Sequence, residues 1–503
     1  MSSFDQDYLF VCETARKAMI YQTSAETLEW DERTGMPPHG GDYRAQQVAA
    51  LRGHAHQLRT GARYGEALER LSDQTAGSVL EATNVRELRR DYQRDQRLPQ
   101  ELVESASEMI VKGQQAWEKA RHGNDYAGFA PVLKQIIALK QDIGGRLAEG
   151  TDQSPYEALM DEYEPGAKTS ELAPVFENLK GRLATLIGEL ADGPTPVDVS
   201  LLKATTDTEA QKRFVSSVCQ AVGFDFQRGR LDETSHPFCT TLGPSDCRIL
   251  SRYEANWFPA GIYAGLHEAG HGMYEQGLDQ MQFALPMGSY ASLGVHESQS
   301  RLWENQVGRS RSFITWVLPQ VQATFPNVFG TCDVETLYRC VNHVQPSLIR
   351  VEADEATYNL HIAIRFELEQ QLIAGDVSVD DLPEAWNAQY QQTLGIMPDS
   401  DANGVLQDVH WSAGLIGYFP TYTLGNLIAA QLFDHARAEI TGLDQDIERG
   451  EFSGLLGWLQ TNVHSHGRRY SSLELVRQVT GKGLSSDHLL DQLEGKLKPI
   501  YGI

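Results

Sequence analysis

The sequence predicts a mainly α-helical protein with one small β element near residues 236–253. Two observations predict it. Apolar positions recur at helical spacing along most of the chain. One stretch, residues 234–253 (TSHPFCTTLGPSDCRILSRY), breaks that rhythm with Thr, Pro and Gly around a central Gly-Pro-Ser-Asp turn signal. That is the pattern of two short strands joined by a turn.

In chain order, helical spacing covers residues 1–30, 43–60, 98–120, 128–148 and 170–191. Turn-forming clusters separate these segments: Met36-Pro37-Pro38-His39-Gly40-Gly41, Glu164-Pro165-Gly166 and Asp192-Gly193-Pro194-Thr195-Pro196. After the β element, Asn256 reads as an N-cap for a long buried helix, WFPAGIYAGLHEAGHGMYEQG. No repeat or low-complexity segment interrupts the pattern. No break is long enough for an interdomain linker, so residues 1–503 read as a single domain. It divides into an N-terminal helical part to about residue 195 and a catalytic part from about 196.

Composition narrows the function classes. The chain has 503 residues, 41% of them hydrophobic, with a formal net charge of −25. A surface of that sign repels phosphate backbones, which argues against nucleic acid as a partner. No apolar run reaches the roughly 18 residues of a membrane span, so no membrane partner is expected. The N-terminus (MSSFDQDYLFVCETARK) lacks the basic-then-apolar order of a secretory leader. Cys12, Cys219, Cys239, Cys247, Cys332 and Cys340 show no CxxC spacing. They read as reduced, buried thiols, and the expected location is cytoplasmic.

The chemistry is concentrated at His267-Glu268-Ala269-Gly270-His271. On a helix, positions i and i+4 share a face, so both imidazoles can reach one zinc ion. Glu268 then stands where it can take a proton from a water at the metal. A catalytic zinc needs a third protein ligand and an open position. Position 277 is Gly, so the pattern ending in a third histidine fails. Glu297, in Gly294-Val295-His296-Glu297-Ser298-Gln299, is the expected third ligand. Glu304, two helical turns further, is either an outer group or an alternative ligand, and His296 is expected to point elsewhere. The same ligands accept Co2+ or another divalent metal.

Several further motifs carry a family resemblance. They are His236-Pro237-Phe238, Asp246-Cys247-Arg248-Ile249-Leu250, His267 to His271, His296-Glu297-Ser298-Gln299, Ile349-Arg350-Val351-Glu352-Ala353-Asp354 and Gly404-Val405-Leu406-Gln407-Asp408-Val409-His410-Trp411. In that order they resemble the six motifs of the Taq-type carboxypeptidases, family M32. Trp30-Asp31 followed by Thr34, Met36 and Pro37 is also similar. One position departs: Leu250 stands where the family has Thr.

The resemblance implies a gluzincin-like helical fold with a deep active-site groove, to which the N-terminal part contributes. It also implies a homodimer and broad removal of C-terminal residues from peptides with a free carboxylate. Arg350 is then expected to hold that carboxylate, with Arg248 as second candidate. Guanidinium suits the task because it binds carboxylate in a bidentate fashion. His236, His410, Tyr418 and Tyr422 are candidates to stabilise the oxyanion. Asp408 and Asp354 read either as groups that orient a ligand histidine or as helix caps. Two other readings share the motif set: an oligopeptidase cutting internal bonds, and a non-catalytic binding protein with an inherited metal site.

Overall fold

The structure, a computed structural model, describes residues 2–503. It is mainly α, with one small sheet. Helices run over Ser3–Thr34, Gly41–Arg59, Gln100–Gly123, Tyr126–Ala148 and Thr169–Ala191, matching the five predicted segments to within a few residues. The helices Ala62–Ser72 and Val79–Gln96 were not anticipated, nor were those later in the chain such as Arg311–Thr324, Leu382–Leu394, Pro420–Glu439 and Asp487–Tyr501. Among the described residues no helix is long and apolar enough to cross a membrane.

The chain forms two compact units. The first takes residues up to Gln96, Asp198–Val341 and Leu432–Lys482; the second takes Arg97–Val197, Asn342–Gln431 and Gly483–Ile503.

In the first unit, Ser2 starts the long N-terminal helix with a capping box. Its side chain accepts from the Asp5 amide, and the Asp5 carboxylate accepts from the Ser2 amide. Val11 of that helix packs with Tyr64, Leu68, Leu71 and Val85. The sheet has strands β1 (Gly229–Glu233), β2 (Phe238–Gly243) and β3 (Asp246–Ser251), in the order β1-β3-β2. The β2–β3 hairpin and its turn at Pro244-Ser245 fall where the sequence places them. β1 adds a parallel edge to β3, pairing Leu231 with Ile249. It escaped the sequence because Gly-Arg-Leu-Asp-Glu has a single apolar residue.

β3 backs the helix Pro259–Gly277, which buries most of its surface. This helix starts at Pro259 and not after Asn256 as expected. Pro is favoured at the first helical position because its missing N–H would have no helical partner there. The Asn256 side chain instead accepts from the Thr205 hydroxyl at 2.8 Å. All six cysteines are free thiols. Five are buried as expected, while Cys239 is partly exposed, with its Sγ 3.7 Å from that of Cys247.

In the second unit, the helix Tyr358–Ala374 is buried on nearly every face. Its apolar residues pack into aromatic neighbours, with Phe366 4.8 Å from Phe176 and 6.0 Å from Tyr156 between ring centres. Three buried polar residues, His361, Arg365 and Glu369, follow each other at i, i+4 and i+8, so they form one polar stripe on an apolar helix.

Candidate functional site

The helix Pro259–Gly277 supplies His267, Glu268 and His271, and the helix Leu293–Arg301 supplies Glu297. Ser292 begins the second helix, its hydroxyl accepting from the Val295 amide at 3.1 Å. The two helices meet closely at Gly270. A Cβ there would lie 2.5 Å from the Gln299 carbonyl oxygen and 2.6 Å from the Ser300 Cα. Gly277, whose identity rules out a third histidine ligand, has its own reason. A Cβ at that position would sit 2.1 Å from His464 Nδ1.

Nε2 of His267 and Nε2 of His271 lie 3.5 and 3.4 Å from Glu297 Oε2. All three donor atoms fall within 4.8 Å of one another, a grouping that can hold a metal ion. The opposite ring nitrogens are tied to acceptors. His267 Nδ1 donates to Glu304 Oε2 at 2.8 Å, and His271 Nδ1 donates to the His296 carbonyl at 3.0 Å. Protons on both Nδ1 atoms leave both Nε2 lone pairs free for a cation, which is the usual outer support of a metal-binding histidine. Glu297 Oε1 accepts from Arg301 Nε at 2.7 Å and Oε2 from the Ser300 hydroxyl at 3.0 Å. Glu268 is buried, and its Oε2 has no protein partner. Two imidazoles, a carboxylate and an unpartnered buried carboxyl oxygen make a donor set that fits a divalent ion with a water beside it.

Charge follows the same plan. Burial raises the Glu268 carboxyl to about 7. It lowers His271 to about 3, with His296 adding to the effect. Glu297 lies well below the usual carboxylate range: burial opposes ionisation there, but Arg301 and the two histidines outweigh it.

Glu304 resolves as an outer group: it holds His267 and pairs with Arg301 NH1 at 3.0 Å. A π-helical turn, Leu302–Val307, sets its direction, with the Gly308 amide bonded to the Trp303 carbonyl five residues back. His296 is outside the group that can hold a metal, but it does not point elsewhere: its ring stacks on that of His271, 4.5 Å between centres. Its Nε2 donates to Glu275 at 2.9 Å, and its Nδ1 lies 2.6 Å from His271 Nδ1.

A second polar cluster belongs to the other unit. Arg350 Nε and NH2 both donate to Asp408 Oδ1, at 3.0 and 2.8 Å, and NH1 donates to the Tyr358 hydroxyl at 2.9 Å. Arg365 Nε donates to Asp408 Oδ2 at 2.6 Å, and its NH2 to Gln407 Oε1 at 2.8 Å. Two buried guanidiniums thus share one carboxylate, leaving an excess positive charge. Asp408 is held far below the usual carboxylate range: burial opposes this, but Arg350 and Arg365 prevail. His410 Nε2 and the Tyr422 hydroxyl are hydrogen-bonded at 3.1 Å, and burial lowers His410 to about 3, so it is neutral.

The sequence profile of the carboxypeptidase Taq (M32) metallopeptidases matches residues 10–497. The chain belongs to the M32 family. Among curated relatives, thermostable carboxypeptidase 1 of Thermus thermophilus is 43% identical over 98% of this chain and 99% of its own length. Carboxypeptidase 1 of Bacillus subtilis is 36% identical over 96% of each. The crystal structure of the M32 carboxypeptidase from Deinococcus radiodurans R1 superposes with a TM-score of 0.96 at 38% identity, covering 99% of this chain and 100% of that one. The protein is therefore an M32 metallocarboxypeptidase, a hydrolase acting on peptide C-termini.

Its remaining M32 motifs fall as follows. His236 is exposed in the bend before β2. Arg248 is engaged by Asp246 through two 2.9 Å bonds and lies 4.2 Å over the Trp30 ring. Leu250, at the M32 Thr position, is fully buried. Its neighbour Ser251 turns its hydroxyl to the Gly261 carbonyl at 3.5 Å. Asp354 caps the start of the helix at Tyr358, accepting from the Ala356 and Thr357 amides. Asp408 pairs with arginines. Neither aspartate orients His267 or His271; Glu304 and the His296 carbonyl do. The Tyr418 ring lies 5.5 Å from that of His410.

Sequence reasoning missed Arg301, Arg365 and Glu369. Arg301 was legible as the residue four after Glu297. The other two were legible as charges at i, i+4 inside an apolar helix.

Proposed function

We propose that this protein is a zinc-dependent carboxypeptidase that releases amino acids one at a time, with broad specificity, from peptides bearing a free C-terminal carboxylate. One observation carries the reading. The donor atoms of His267, His271 and Glu297 converge within 4.8 Å, and Glu268 beside them keeps a buried carboxyl oxygen without a partner. A divalent ion there, zinc by the fit of two nitrogens and an oxygen and replaceable by cobalt or another divalent metal, would polarise the scissile carbonyl and make water more acidic.

The chain's own residues do the rest. Glu268 takes the proton of the attacking water and delivers it to the leaving amine. A carboxyl raised to about 7 by burial has the basicity such a shuttle needs near neutrality. Arg350 takes the terminal carboxylate. Of its five N–H donors three are engaged by Asp408 and Tyr358, which leaves two for the substrate. The excess charge of the Arg350–Asp408–Arg365 cluster supports this role. Among His236, His410, Tyr418 and Tyr422, the reading assigns the oxyanion to the neutral, mutually bonded His410–Tyr422 pair. His236 and Arg248 contribute to binding the rest of the peptide. The reading also includes a homodimer, a cytoplasmic setting, and neither nucleic acid nor membrane as partner. The net charge of −25 supports the exclusion of nucleic acid.

Timed mass spectrometry of a peptide digest tests the core claim. A ladder shortening from the C-terminus, abolished by a chelator, restored by zinc and blocked by C-terminal amidation, is expected. Equal cleavage of the amidated peptide would make the enzyme an endopeptidase and reject the proposal. Sedimentation gives the subunit count.

A further inference from the structure

Glu369 is a buried carboxyl that the mechanism above does not use. It sits on the helix Tyr358–Ala374, one turn after Arg365, and is fully buried. Three donors meet it. Trp411 Nε1 donates to Oε1 at 3.0 Å; the Tyr156 hydroxyl and the Gly417 amide each donate to Oε2 at 3.0 Å. All three donors are neutral, and Arg365 one turn away offsets only part of the cost of desolvating a charge here. Burial accordingly raises this carboxyl to about 7, against the pull of its hydrogen bonds. A carboxyl kept at such a place is an expensive fastener, and what it fastens is specific.

Trp411 and Gly417 bracket the turn that follows His410 and precedes Tyr418. That turn folds back on itself through bonds from the Ala413 and Leu415 amides to the His410 carbonyl, at 3.1 and 2.8 Å. The segment is thus pinned at both ends by one stripe of one helix. Arg365 grips its start at Gln407 and Asp408, and Glu369 grips its continuation at Trp411 and Gly417. His410 lies between the two grips.

We propose that Glu369 is a positioning residue for the reaction: through Trp411 and Gly417 it fixes His410, and with it the hydroxyl of Tyr422. This rests on the reading of His410 and Tyr422 as the oxyanion donors. The division of labour makes a specific expectation. Arg350 is set by Asp408 and Arg365, not by Glu369, so loosening Glu369 should leave carboxylate binding alone and slow the chemical step.

The test is steady-state kinetics on the metal-loaded enzyme with Glu369→Gln, which keeps shape but turns an amide N–H toward the N–H of Trp411 or of Gly417, neither of which can accept. The expected result is a kcat about 10- to 100-fold lower, with KM within about 3-fold and unchanged bound metal. Tyr422→Phe reports separately on the parent reading. When both single variants lose kcat, the double variant should fall little below the worse of the two, because both act through one hydroxyl. A multiplicative loss overturns the positioning role. Normal kcat in Glu369→Gln with impaired Tyr422→Phe overturns this inference alone. Normal kcat in Tyr422→Phe overturns the parent reading and this inference with it. If Glu369→Gln does not fold, Trp411→Phe removes one donor and keeps the carboxyl. The same kcat-only loss is expected, and kinetics matching the parent refute the proposal.

Discussion

Glu268→Gln separates what this residue contributes to turnover from what it costs the fold. Glu268 is 5% exposed, and burial raises its carboxyl from 4.5 to about 7. A folded-state pKa above the unfolded one means that the fold prefers the protonated form. The associated stability is fully present below about 4.5 and is lost as pH rises through about 7. At about 1.4 kcal/mol for each tenfold change, that gap corresponds to about 3 kcal/mol lost by pH 8. Glutamine has the same shape and no charge to desolvate. Parent and variant, both stripped with chelator, should unfold alike near the acid end of that window. At pH 8 the variant should be more stable by up to about 3 kcal/mol. Denaturant titration at the two pH values measures the difference, and peptide turnover with metal restored should fall by orders of magnitude. A variant no more stable than the parent at pH 8 would refute the account of Glu268 as a strained buried base.

Gly270→Ala would place a methyl group 2.5 Å from the Gln299 carbonyl oxygen. It should destabilise by about 1–3 kcal/mol and drive Glu297 away from the histidines, read as bound metal after dialysis. Glu304→Gln removes the charge that orients His267 and should weaken metal affinity about 10- to 100-fold in a chelator competition. Asp408→Asn leaves two buried guanidiniums without their shared counter-charge, which should destabilise by about 3–5 kcal/mol in denaturant titration.

Local features of the chain were legible where a short-range rule governs them. Helical spacing located five helices, and Gly-Pro-Ser-Asp located the hairpin turn. The i, i+4 histidines shared a face because helix geometry leaves no alternative. Glu297 was reachable as the acidic residue of the next polar helix. What escaped depends on departures from regularity or on partners distant in sequence. The orientation of Glu304 follows from a π turn, which changes the residues per turn and so the face on which a side chain emerges. Arg350 has Glu352, Asp354 and Glu355 close in sequence, yet it pairs with Asp408, 58 residues away. Charge runs show which neighbours are near in sequence, while burial selects the partner that can be desolvated together with the arginine.

The interleaving of the two units bears on how the protein is made. His267, His271 and Glu297 all leave the ribosome by residue 297, but Gln299 beside them is bonded at 3.0 Å to His464, 165 residues later. The first unit lacks its last segment until Lys482 has emerged, and the second lacks Gly483–Ile503 until later still. Truncation at either unit's internal seams would therefore yield fragments with an unfinished core.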